Sequence, residues 1–146
     1  MITDTQKTLI ANYFKSKPEI AAAYLFGSQA RGDDTKQSDI DMAVIFNDKN
    51  LTSNKLFSLG GYEEDLSTLL KTKVDVQDLD QANAIFKYRV LSEGKILHDT
   101  RNEEKFDYQI RAVDDYFELK PVYDEYFEEM SKRIQNNSFG RAYANQ

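Results

Sequence analysis

Asp39 and Asp41 are the residues in this chain best suited to chemistry. They stand two apart in Asp39-Ile40-Asp41, just ahead of the apolar run Met42 to Phe46. A strand sets alternate side chains on one face, so the two carboxylates point the same way and Ile40 turns into the core. Carboxylates side by side repel, and burial drives one of them toward its neutral form. A cation relieves that repulsion. Mg2+ suits the task, because it takes one or two carboxylates together with phosphate oxygens and water. Two such ions about 3.5–4 Å apart clamp the attacking and leaving oxygens of a phosphoryl transfer.

Gly27 and Ser28 close the preceding apolar run, Ala22 to Phe26. Glycine lets the backbone turn tightly and approach a ligand. Ser28 adds a hydroxyl and a backbone N–H, and a short helix begun over Ser28 to Arg31 presents free N–H groups to an anion. The expected division of labour is therefore phosphates at Gly27 and Ser28 and metal at the aspartates. Arg31 and Lys36 are candidates to neutralise the remaining charge. Asp75 is the candidate third carboxylate. It lies mid-strand between Val74 and Val76, where a charge needs a reason, and a general base is the role that suits it.

The elements that position these groups follow from pattern and punctuation. Thr3 and Gln6 form a capping box for a helix with Leu9, Ile10, Tyr13 and Phe14 on its apolar side, ended by Lys17-Pro18. Ala22 to Phe26 and Met42 to Phe46 read as buried strands. Leu56 to Leu70 reads as one helix weakened at Gly60-Gly61, Lys73 to Leu79 as a strand, and Ala82 to Ser92 as a helix with Gly94 at its C-cap. Ile96 to His98 is a short final strand. From Asn102 to Ile134 the chain is charged yet rich in Phe and Tyr. Phe106, Ile110, Val113 and Phe117 form one stripe. Tyr123, Phe127, Met130 and Ile134 form a second, and Lys120-Pro121 divides the segment into two helices.

Composition narrows the function classes. The 146 residues fit one compact domain with a helical extension, and 40% hydrophobic residues supply a core. A net charge of −6, from 19 Lys and Arg against 25 Asp and Glu, argues against unspecific binding along a polynucleotide. Without cysteine there is no disulfide, thiolate zinc site or thiol nucleophile. One histidine, His98, leaves no His-rich metal site, and its apolar setting gives it a structural role. No run is long enough to span a bilayer, and the N-terminus lacks the order of a signal peptide, so a cytoplasmic location is expected. Asp33 and Asp34 read as turn residues, and Glu63-Glu64-Asp65 as a solvated helix face.

The residues named first also carry a resemblance. Gly27-Ser28, ten intervening residues and then Asp39-Ile40-Asp41 resemble the signature of the nucleotidyltransferase (DNA polymerase β-like) superfamily. Val74-Asp75-Val76 resembles its third-carboxylate strand. The short length and "YRVLSEGKILHD", Tyr88 to Asp99, are similar to the minimal nucleotidyltransferases, with His98 where that subfamily has Tyr.

The resemblance implies an α/β (α+β) fold, a small mixed β-sheet flanked by helices. Residues 1–100 would be the nucleotidyltransferase domain and 101–146 a C-terminal helical extension. It implies transfer of a nucleoside monophosphate from a triphosphate to a hydroxyl, with ATP as substrate and Mg2+, in a pair, as cofactor. By the same resemblance, Gly27, Ser28 and Arg31 serve the phosphates, Asp39 and Asp41 hold metal, and Asp75 is metal ligand or base. Many such proteins are antitoxins that place AMP on a tyrosine of a partner HEPN ribonuclease toxin. Two other readings compete: transfer to a small-molecule hydroxyl such as an antibiotic's, and masking of a partner without catalysis. The tail's surplus aromatic surface is expected to contact a partner protein.

Overall fold

Short runs of alanine, valine and other apolar residues make the strands, and capped amphipathic segments make the helices around them. The computed structural model describes residues 2–27, 39–47, 50, 54–101 and 103–136. Ser28, Arg31 and Lys36, together with Asp33 and Asp34, lie outside the described residues. Helix α1 (Asp4–Lys15) starts at the expected capping box: Thr3 Oγ1 accepts from Gln6 N–H, and Gln6 Oε1 accepts from Thr3 N–H. Strands β1 (Ile20–Phe26) and β2 (Ile40–Phe46) follow, then helix α2 (Lys55–Leu70) and strand β3 (Val74–Asp78). A 3-10 turn at Leu79–Gln81 leads into helix α3 (Ala84–Glu93), strand β4 (Lys95–Asp99) and the long helix α4 (Glu103–Gln135).

The four strands form one sheet in the order β3-β2-β1-β4. The β1–β2 and β1–β4 pairs are antiparallel and β2–β3 is parallel, so the sheet is mixed, as expected. A parallel pair needs a crossover, and α2 supplies it. One face packs under α1 and α2. Ile10 and Phe14, with Tyr62 and Leu66, cover Leu25, Ile40, Met42, Val44, Val74 and Val76, all buried. The other face carries Ala22, Tyr24, Ala43 and Ile45 against Val90 of α3 and Tyr108 of α4.

Strand β3 is an edge, and α2 closes it. Ser67 Oγ accepts from Val74 N–H at 3.0 Å and Glu63 Oε1 from Val76 N–H at 3.0 Å. The spacing matches: i,i+4 on a helix advances about 6 Å, close to the rise of i,i+2 on a strand. The solvated reading of Glu63-Glu64-Asp65 holds for Glu64 and Asp65, both exposed, and is corrected at Glu63. Glu63 caps the strand edge, and Asp65 Oδ2 accepts from Tyr13 Oη at 2.6 Å. The helix period alone does not show that an edge strand runs alongside.

Gly94 is the C-cap of α3, but with φ −69° and ψ 159° it is extended rather than left-handed. Its requirement is space: a Cβ there would lie 2.5 Å from the Val90 carbonyl oxygen and 3.1 Å from that of Leu25. His98 takes the structural place expected of it. Its ring stacks on Phe14 with centroids 6.4 Å apart, and Nε2 is 3.4 Å from the Ile20 carbonyl.

The tail differs from expectation in its continuity. It is one helix rather than two, with Pro121 inside it. A proline forfeits one backbone hydrogen bond without having to end a helix, and the Lys120–Asp124 ion pair at 2.5 Å spans this one. Of the two settings open to the first apolar stripe, the core or a partner, it is not buried in the core: Phe106, Ile110 and Phe117 are exposed. The helix docks instead through Lys105, which pairs with Asp99, through Gln109, whose amide donates to Tyr24 Oη, and through Tyr116, whose ring stacks on Tyr88 at 3.9 Å. Among the described residues, no helix is long and apolar enough to cross a membrane.

Candidate active site

β2 runs two residues further upstream than its apolar run, so Asp41 lies inside the strand and Asp39 immediately before it. Ile40, between them, is buried against the α1–α2 side. Alternation therefore sends Asp41 to the opposite face. The parallel register sets Asp41 level with Asp75 of β3, and the antiparallel register sets Asp41 level with Phe26 of β1. Two carboxylates from adjacent strands thus come level at one end of the sheet, with a third just upstream.

Electrostatics reflect this crowding. Burial, then the charges of Asp75 and Asp39, hold the Asp41 carboxyl above the ordinary carboxylate range, and Lys73 pulls it partly back. Lys73 precedes β3, and its carbonyl accepts from Ile40 N–H at 3.0 Å. Its Nζ is 3.8 Å from Asp39 Oδ2, and both side chains are largely open to solvent. Sequence reasoning passed over Lys73. Its signal is its position two residues before Asp75, at the level of the Asp39–Ile40 step.

Gly27 completes the described part of the site. Its φ of +76° is left-handed, and a Cβ there would lie 2.9 Å from Asp41 Oδ2. Glycine is required twice here, for backbone conformation and for the approach of the aspartate. Of the expected site residues, Gly27, Asp39, Asp41 and Asp75 come together. Ser28 and Arg31 lie outside the described residues.

The donor set suits a hard divalent cation: oxygen ligands only, with net negative charge and mutual repulsion for a cation to relieve. Among the described residues, no three acidic or histidine side chains are drawn up as a ready-made metal cage. Asp39 is paired with Lys73.

The family described as "Polymerase beta, Nucleotidyltransferase" matches residues 8–103. Two relatives named protein adenylyltransferase MntA align with the chain. The protein from Shewanella oneidensis is 29% identical over 105 residues, covering 70% of each chain. That from Aphanizomenon flos-aquae is 25% identical over 111 residues, covering 72% of this chain and 74% of the relative. Solved structures share the fold. A toxin–antitoxin structure with AMP-PNP superposes with a TM-score of 0.70 at 23% identity, covering 86% of this chain and 98% of that one. An MNT antitoxin in complex with tri-AMPylated Shewanella oneidensis HEPN toxin gives 0.67 at 21% identity, covering 89% and 99%.

Proposed function

The chain belongs to the polymerase β nucleotidyltransferase family, and from that premise we propose that it is an antitoxin that transfers AMP from ATP to a tyrosine hydroxyl of a HEPN-type toxin in the cytoplasm. The observation that carries the reading is the pairing of Asp41 with Asp75 across parallel strands, with Gly27 pressed against Asp41. The relatives' names, and the AMP-PNP and AMPylated toxin in the related structures, support the choice of AMP and of a protein acceptor.

In this reading Asp39, Asp41 and Asp75 hold Mg2+, in a pair, and Gly27, Ser28 and Arg31 hold the phosphates. When bound, the metal neutralises phosphate charge and polarises the phosphoryl oxygens. The acceptor oxygen bonds to the α-phosphorus, the α–β bridging P–O bond breaks, and pyrophosphate leaves. Asp75 is the candidate to take the hydroxyl proton. Residues 1–100 carry the chemistry, and 101–146 form the extension that meets the partner. The exposed Phe106, Ile110 and Phe117, and further along α4 the exposed Val122, Tyr126 and Phe127, support that role, since large apolar side chains left open on a helix mark interaction sites.

The test is the intact mass of the HEPN partner after incubation with this chain, Mg2+ and ATP, beside the Asp39→Ala/Asp41→Ala variant. Increments of AMP with the native chain alone are expected. A stable complex without increments would establish masking instead, and turnover of free hydroxylated compounds without a partner would establish a small-molecule enzyme. Ending the chain after Lys120 spares the docking residues Lys105, Gln109 and Tyr116 and is expected to weaken the complex. Unchanged affinity would remove the distal half of α4 from the interface.

A further inference from the structure

The sheet face that carries the aspartates continues past them. Asp75 on β3 is level with Asp41 on β2, and Asp41 with Phe26 on β1. Beside Phe26 a cavity of about 220 Å3 opens under α3, lined by Phe26, Gly27, Phe86, Arg89, Val90 and Glu93. Gly27 is common to both places: it faces Asp41 and it lines the cavity. Val90 is buried, and Phe86 meets Phe26 edge-on, with centroids 5.2 Å apart and planes at 89°. Arg89 and Glu93 are exposed, one helical turn apart, which puts them at the rim.

We infer that this cavity receives the base of the nucleoside triphosphate, with Phe86 as its stacking ring and Arg89 and Glu93 reading its edge. The inference rests on the nucleotidyl-transfer reading above and goes beyond it by assigning residues to nucleoside recognition.

Three observations carry it. Adjacent strands are about 4.8 Å apart, so the cavity begins one strand spacing from Asp41, and a ribose bridges that gap between phosphate and base. The volume falls below the roughly 300–1,000 Å3 of pockets that enclose a whole drug-sized ligand, and it suits one flat ring system at the end of a longer molecule. The chemistry also matches. A base offers an aromatic face to Phe86 and an edge of donors and acceptors to a carboxylate and a guanidinium. A bare phosphate or metal would gain nothing from Phe26, Phe86 and Val90.

The experiment compares ATP with inorganic tripolyphosphate, which keeps the phosphate chain and lacks the nucleoside, by calorimetric titration of the full chain with Mg2+. The native chain is expected to prefer ATP by roughly tenfold or more, the order that stacking on an aromatic side chain supplies. Phe86→Ala is expected to erase the preference and leave tripolyphosphate binding unchanged. Because Phe86 touches Phe26, Arg89→Ala provides a variant at an exposed position, expected to lower ATP affinity several-fold and tripolyphosphate affinity not at all. A preference for ATP that survives both substitutions would overturn the assignment. Equal binding of the two ligands by the native chain would overturn it too, while AMP increments on the partner would keep the transfer reading intact. Failure to bind either ligand, with no AMP increments, would remove both.

Discussion

The two faces of the sheet are cut from the same four strands, yet they are filled in opposite ways. Under α1 and α2 the strands present Leu25, Ile40, Met42, Val44, Val74 and Val76, and large apolar side chains from both helices cover them. Under α3 and α4 the strands present Ala22 and Ala43, the hydroxyl of Tyr24 engaged by Gln109, and at one end Asp41 and Asp75. The first face keeps the chain folded. The second gives up apolar contact at its end to hold like charges together, which is unfavourable without a counter-ion. Stability and chemistry are thus separated by the period-two alternation of three strands.

The comparison is open to attack from either side. Asp41→Asn has the largest expected effect. Transfer activity should fall on the order of a thousandfold, about 4 kcal/mol, while the melting temperature holds or rises because a repelling charge has gone. A matching loss of thermal stability would show that the carboxylate serves the fold. Leu66→Ala is the converse. This fully buried residue should cost about 3 kcal/mol in urea unfolding, with the activity of the folded fraction unchanged. Gly27→Ala strikes the boundary between the two roles. Left-handed backbone costs an L-residue about 1–2 kcal/mol, and the added methyl crowds Asp41, so activity should fall further than stability.

His98 gives the smallest effect, a slope rather than a step. Burial holds its imidazole below the ordinary range, with the Ile20 carbonyl opposing. The unfolded chain therefore takes up the proton first as pH falls. The stability due to neutral His98 is complete above the ordinary imidazole pKa. It declines as pH drops through that value toward the lowered native one. His98→Gln should flatten this part of the urea-midpoint profile against pH. An unaltered slope would assign it to other groups.

Much of this arrangement is legible in the chain itself. Asp39-Ile40-Asp41 announces its shared face because strand alternation is local, and Asp75 stands out as a charge between two valines. That Asp41 stands level with Asp75 and with Phe26 is a matter of register, which depends on how distant strands pair and has no local signature. Lys73 and Glu63 were obscured for the same reason: each acts on a neighbouring element. Phe86 carries no local signal of a site, since the cavity beside it forms only when α3 lies over β1. The stripes on α4 leave their cover open, because apolar periodicity marks a face that seeks a partner without saying whether that partner is the same chain. Here the docking side is mixed, with Lys105 and Gln109 beside Tyr108 and the buried Ala112.

The cap that Ser67 and Glu63 place on β3 bears on assembly. An open strand edge is a template for another strand, whether from a binding partner or from a second copy on the way to aggregation. With the N–H groups of Val74 and Val76 already engaged, that template is closed beside the aspartates. Among the described residues no strand pairs with the far side of β4. In the order β3-β2-β1-β4, a strand joined at β4 would have β1 and β2 between it and β3, and so would lie clear of the acidic edge.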